Sequence, residues 1–235
     1  MAYELLKRPK DARLIEGFPG FGLVGTITTE YLLNHLQCEY IGQICMEQLP
    51  ATVIIHNSAL VPPIGLYYNK KYNLVLLHAI AGSLGAEWKI AEEINKIAEE
   101  LKVKEIISIE GVGSNNPEEK TLKTFFYTSD PKNKATLKKV APELNEGIIV
   151  GVTAALLVKT KFPVTAFFGD TSSTLPDSKA AAKVIETLDK YLNLDIDTKP
   201  LLETAAKFET KVKALLQQSK ATQQEAELKK MSYVG

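Results

Sequence analysis

Cysteine and histidine are both scarce in this 235-residue sequence, and each scarcity closes a branch of chemistry. Two cysteines, Cys38 and Cys45, are too few for a disulfide framework and too few for a thiolate zinc site. The three histidines, His35, His56 and His78, include no pair at the i, i+4 spacing of a helical metal site, and His56 and His78 have no carboxylate close in sequence. Glu110, Asp170 and Asp177 could meet at one sheet edge, but acids at strand ends are ordinarily solvated, so no metal site is expected. Neither sign of charge is in excess. With 28 basic and 28 acidic residues the formal net charge is zero, and the lysines are scattered and paired with acids, which leaves no organised nucleic-acid surface. No apolar run approaches the roughly 18 residues of a membrane-spanning helix. Met1 to Asp11 lacks the apolar stretch of a signal peptide. A cytoplasmic protein with reduced thiols and no membrane or nucleic-acid partner is the expectation.

What is present is a glycine-studded turn, Gly17-Phe18-Pro19-Gly20-Phe21-Gly22-Leu23-Val24-Gly25, between an apolar run (Ala12 to Glu16) and a helical run (Thr26 to Leu36). Strand, glycine turn and helix in this order is where α/β proteins place ligands. Gly20, Gly22 and Gly25 fit the dinucleotide spacing G-x-G-x-x-G, and Glu47 follows the next apolar run about where a ribose-binding acid belongs. Against that reading, Gly17-Phe18-Pro19 intervene between strand and motif, Pro19 has no N–H to offer a phosphate, and two phenylalanines crowd the turn. Tight turns also require glycine for backbone reasons alone.

Alternation and breakers set out the rest of the chain. Strands are expected at Tyr40–Met46, Thr52–His56, Lys104–Ile109, Thr124–Tyr127, Gly147–Val150 and Val164–Phe168, and a hairpin at Ile64–Tyr68 and Tyr72–His78. Helices are expected at Ala86–Leu101, on a stripe of Trp88, Ala91, Ile94, Ile97, Ala98 and Leu101, at Asn133–Val140, at Thr153–Lys159 and at Pro176–Leu192. Pro176 and Asp177 suit a helix start. Such alternation argues for an α/β sheet with parallel pairs and one antiparallel hairpin. Gly111 to Lys120 reads as a polar loop whose Gly111 to Ser114 portion could cradle an anion or serve as a plain connection.

Ala81-Gly82-Ser83-Leu84-Gly85 resembles a nucleophile elbow. In hydrolases of that design the base follows the nucleophile in the chain, whereas every histidine here precedes Ser83. A strand-to-helix turn with Ser83 as a capping hydroxyl is the better expectation.

Beyond Pro200, Leu201, Ala205, Phe208, Val212 and Leu215 are spaced four, three, four, three, the rhythm of a coiled-coil seam. This helical run packs back on its own domain, pairs between subunits or projects to a partner. Residues 1–197 then form an α/β core and residues 198–235 a helical tail.

The string Leu14-Ile15-Glu16 followed by the glycine turn resembles the signature of the archaeal branch of the proteasome assembly chaperone family. Gly151-Val152-Thr153-Ala154-Ala155-Leu156-Leu157 and Asp177-Ser178-Lys179-Ala180-Ala181-Ala182 resemble two later elements of that family in order and spacing. The resemblance implies a three-layer sandwich around a mixed, mostly parallel sheet, similar to the nucleoside phosphorylase and hydrolase-like fold, plus the C-terminal tail. It implies no catalytic residues, no cofactor and no metal, and a homo-oligomer, or a hetero-oligomer with another family member, that binds proteasome α-subunits in assembly or activation without ATP. Tails that enter α-subunit pockets end hydrophobic–Tyr–any residue, and Tyr233, Val234 and Gly235 are the candidate contacts, with the tyrosine third from the end instead of second. Leu201, Ala205, Phe208, Val212 and Leu215 would form the seam that orients the tails. Gly17, Phe18, Pro19, Gly20, Phe21, Gly22 and Gly25 mark the signature turn. The competing expectation is a nucleoside-processing or hydrolytic enzyme with its site at that turn.

Overall fold

The computed structural model describes residues 2–47, 49, 51–56, 58–82, 84–113, 123–171 and 175–203. In chain order the elements are β1 (Tyr3–Leu5), β2 (Arg13–Gly17), α1 (Val24–His35), β3 (Glu39–Ile44), β4 (Ile54–His56), β5 (Ala59–Val61), β6 (Ile64–Asn69) and β7 (Leu74–Ala79). They continue as α2 (Glu87–Leu101), β8 (Glu105–Gly113), β9 (Thr124–Thr128), α3 (Pro131–Leu137), α4 (Gly151–Lys159), β10 (Val164–Thr171) and α5 (Ser178–Leu192). Eight strands form one mixed sheet in the order β1-β3-β6-β7-β2-β8-β10-β9, and β4 and β5 form a separate two-stranded piece. β7, β2, β8 and β10 are parallel neighbours at its centre; β3 runs the same way, and β1, β6 and β9 run opposite.

The centre is parallel because its strands are apolar on both faces and must be covered twice. In β2, Leu14 points into a cluster with Val75, Leu77 and Ile106 beneath α2 and α4, while Ile15 points into a cluster with Ile107, Ile109 and Phe167 beneath α1 and α5. Two helices on each face make three layers. α2 buries Ile90, Ala91, Ile94, Ile97, Ala98 and Leu101. Trp88, expected on that stripe, is instead half exposed and lies under the Lys159 ammonium, 5.3 Å from its ring centre. α5 buries Ala180, Ala181, Val184, Ile185 and Leu188, and its N-cap Asp177 accepts a 3.0 Å bond from the Ala180 N–H.

Three further features depart from the expected elements. Residues 147–150 form no strand: they run unpaired into the N-cap of α4, with the Ile148 side chain in water. β1, hidden in a charged N-terminal run, adds an antiparallel edge to β3. Antiparallel pairing also extends beyond the single expected hairpin, to β3 with β6 and β9 with β10.

Candidate functional site

Strand β2 delivers the chain to the glycine turn at the C-terminal edge of the parallel strands. Gly17 packs directly against the start of α1: a Cβ there would sit 2.3 Å from the Gly25 carbonyl oxygen. One turn of 3₁₀ helix, Phe21–Leu23, follows, with Gly22 at φ +59° and Leu23 at φ 50°. The Gly20 carbonyl accepts from the Leu23 N–H at 3.1 Å, and the Gly22 carbonyl from the Asp177 N–H at 2.8 Å. The turn is thereby tied to the head of α5.

This arrangement leaves no phosphate cradle. Leu23, Val24, Gly25 and Thr26, the first turn of α1, are buried in protein, so its N–H groups do not face a ligand space. The strand that precedes Glu47 is not a neighbour of β2; it lies beyond β6 and β7 in the sheet. In a dinucleotide fold the ribose-binding acid stands on the strand beside the first. The motif spacing is therefore a product of backbone packing.

Under the turn lies a feature that the glycine pattern does not announce. Glu16 on β2 and Glu110 on β8 both point to the α2/α4 side, because each stands an even number of positions from an inward residue of that face, Leu14 and Ile106. Glu16 is fully buried opposite Ser108, and the Thr153 hydroxyl of α4 donates to its Oε1 at 3.3 Å. Burial pushes the Glu16 carboxyl up to about 7, against the pull of the Ser108 and Thr153 hydroxyls. Glu110 is 7% exposed and lies against Gly20, where a Cβ would come within 1.9 Å of its Oε1. Its Oε1 accepts from the Gly111 N–H at 3.3 Å. Burial, and then the neighbouring Glu16 charge, push it up to about 8, while the Gly111 N–H and the Thr153 hydroxyl pull it down. One threonine hydroxyl thus serves two carboxyls. The signal in the sequence was faint: each glutamate is the last residue of an apolar run before a glycine.

The opposite face carries a second polar group. His78, at the end of β7, is buried with Nδ1 2.8 Å from Thr29 Oγ1 and Nε2 3.0 Å from Glu30 Oε2, both on α1. It braces strand to helix. Ser83 itself lies outside the described residues, and α2 has Ala86, with no side-chain bond, at its N-cap. The serine-capped start expected there is replaced by a later, uncapped one. Asp177 is committed to Thr171 Oγ1 at 2.8 Å and to capping α5, and among the described residues no three His, Cys, Asp or Glu side chains gather as metal ligands. Gly111 to Gly113 extend β8 instead of opening a loop; the residues after them are outside the described set.

Of the expected tail seam, Leu201 is described and buried against Ala182 and Ile185 of α5. Ala205, Phe208, Val212 and Leu215, and the candidate contacts Tyr233, Val234 and Gly235, lie outside the described residues. Among the described residues no helix is long and apolar enough to cross a membrane.

The model of the PAC2 family matches residues 14–216. Uncharacterized protein MJ0106 of Methanocaldococcus jannaschii is 26% identical over 208 residues, which span 87% of this chain and 85% of that protein. Among solved structures, Pyrococcus furiosus PbaA, described as an archaeal homolog of proteasome-assembly chaperone, superposes with a TM-score of 0.80 at 26% identity over 97% of both chains. Pyrococcus furiosus PbaB, described as an archaeal proteasome activator, shares the fold with a TM-score of 0.73 at 21% identity over 91% of this chain and 97% of its own.

Proposed function

The chain belongs to the PAC2 family, and from that premise we propose that it is a non-enzymatic, oligomeric assembly chaperone or activator-like adaptor for the proteasome core particle. It binds α-subunits of the ring without ATP, and its C-terminal residues Tyr233, Val234 and Gly235 contribute to the contact. The observation that carries this reading is the end-to-end similarity to PbaA, 97% of both chains, which covers the signature turn and the body together. Exposed apolar side chains add support: Ile55, Leu60, Leu84 and Ile148 are each more than 70% exposed, and apolar surface of this kind marks partner faces. Several tails on one oligomer bind a multi-subunit ring with avidity even where each contact is weak.

The test is capture of proteasome α-subunits by the full-length protein and by a truncation after Glu203, each with and without ATP. Full-length capture that is indifferent to ATP and lost on truncation is the expected result. If neither protein captures α-subunits the reading fails; if both do so equally, only the role of the tail fails. Light scattering on the same two proteins reports the oligomer.

A second reading, a small-molecule enzyme with its site at the turn, has the paired Glu16 and Glu110 carboxyls in its favour, since α/β enzymes keep chemistry at this edge of the sheet. Their enclosure counts against it. A thermal-shift screen with nucleosides, dinucleotides and phosphate separates the readings. A stabilisation of about 2–3 kcal/mol at roughly a hundredfold excess over Kd favours the enzyme.

A further inference from the structure

Two carboxyls on neighbouring parallel strands, both enclosed, with the Thr153 and Ser108 hydroxyls beside them and no cation among the described residues, form an arrangement with a definite physical consequence. Among the described residues no cation pairs with either. The turn above them contributes Phe18, Pro19, Gly20 and Phe21, none of which ionises. α4 contributes Thr153, and its Lys159, at the far end, pairs with Glu92 at 2.8 Å. α2 presents Ile90, Ile94 and Ile97 inward, and its buried acid, Glu93, pairs with Lys96 at 2.5 Å. On β7 the residue opposite Glu16 is Leu77, and His78 lies on the other face with Thr29 and Glu30. On β10 the residue opposite Glu110 is Phe168, and Asp170 stands at the next position of the same face.

Two anions cannot both be held in such a place without a counter-charge. The Thr153 and Ser108 hydroxyls bring no positive charge, and Oε2 of Glu16 has no bonding partner among the described residues. The pair therefore keeps at least one proton of its own while the turn is closed. Glu110, 7% exposed where Glu16 is fully buried, is the member nearer water, and the Gly20 backbone lies against its Oε1.

We propose that a proton held by the Glu16–Glu110 pair latches the signature turn over the head of α4, so that loss of this proton opens the turn and lets Glu110 reach water. The turn is then a pH-operated part of the surface, and the side chain it carries outward is Phe21, already 48% exposed. The sign follows from the raised carboxyls. Their stabilising contribution is complete below the ordinary glutamate value of 4.5 and is lost as pH rises through about 7 for Glu16 and about 8 for Glu110. The inference concerns the fold of this chain and stands whether or not it binds the proteasome.

Hydrogen exchange of a peptide spanning residues 17–25, corrected for the intrinsic pH dependence of exchange, tests it on the full-length protein. Between about pH 6 and about pH 9 the wild-type turn should lose protection about a hundredfold, the factor for the roughly two pH units between pH 6 and the Glu110 value of about 8, with no further loss above it. A peptide from α5 should keep its protection. In Glu110→Gln, which keeps a neutral hydrogen-bonding group under Gly20, the turn should hold the same protection at both pH values. A wild-type turn equally protected throughout, or one whose loss persists in Glu110→Gln, overturns the proposal. Infrared difference spectra of the wild-type protein give a check that needs no variant. A neutral carboxylic carbonyl band should be present at about pH 6 and gone by about pH 9, and its absence at the lower pH also overturns the proposal.

Discussion

Gly22 shows how a residue picked out by a sequence pattern acquires a different reason for being there. Its backbone stands at φ +59°, and a Cβ would lie 2.9 Å from Thr171 Oγ1 and 3.2 Å from Asp177 Cβ. A left-handed L-residue costs about 1–2 kcal/mol before any clash, so Gly22→Ala should lower the thermal midpoint by about 2–8 °C in a domain of this size. A calorimetric melt checks this; an unchanged midpoint would show that the turn tolerates a side chain and that the glycine has another purpose. Glu105 makes a second case. It is nearly buried at the N-terminal edge of β8 and accepts from Tyr191 Oη at 2.9 Å, Thr165 Oγ1 at 2.5 Å and Arg13 Nε at 3.2 Å. Bonds to a charged acceptor contribute about 1.5–3 kcal/mol. Tyr191→Phe should therefore cost stability of that order in a urea unfolding curve, with the m-value unchanged because the folded surface is the same.

At the scale of elements, the sheet and helices were largely legible because their signals are local. The apolar run of β2 and the helical stripe of α2 need no knowledge of the rest of the chain. Trp88 fell off that stripe because a helix stripe has width, and residues at its margin go where a neighbour such as Lys159 receives them. Residues 147–150 look like a strand and are not one, since a strand needs an edge to pair with and this run leads straight into α4. The start of the tail is settled by packing as well. Leu201 is buried on α5, so the folded body reaches beyond the expected boundary at residue 197. Burying a leucine contributes about 1.5–3 kcal/mol, and a truncation after Asp197 should melt lower than one after Glu203. Equal melting of the two would place Leu201 outside the body.

At the scale of the whole molecule, the chain is a three-layer body of the PAC2 family with apolar side chains left in water and a polar pair enclosed beneath its signature turn. In the proposed function the body sets the geometry and the residues after Glu203 contribute to the contact. The truncation after Glu203 should therefore melt like the full-length protein while losing capture of α-subunits. The latch predicts a further whole-molecule trend: the thermal midpoint should fall between about pH 5 and about pH 8.5 relative to a Glu16→Gln, Glu110→Gln double variant. A wild-type profile parallel to that of the double variant would remove the two glutamates as its cause.

The sequence by itself determined the order and kind of most elements, the place of the glycine turn, the absence of a hydrolase triad in the usual order, and the resemblance that the PAC2 match then supported. All of these depend on residues close together in the chain, where spacing and side-chain type act directly on the backbone. Only the tertiary structure decided that β2 lies between β7 and β8. That pairing brings Glu110 under Gly20, and Glu16 within reach of the Thr153 hydroxyl that serves both acids. Strand neighbours are chosen by which faces can be covered at once across the whole sheet, and no local pattern carries that choice. The glycine turn accordingly looked like a cradle for a phosphate in one dimension and became, in three, the cover of a buried acid pair.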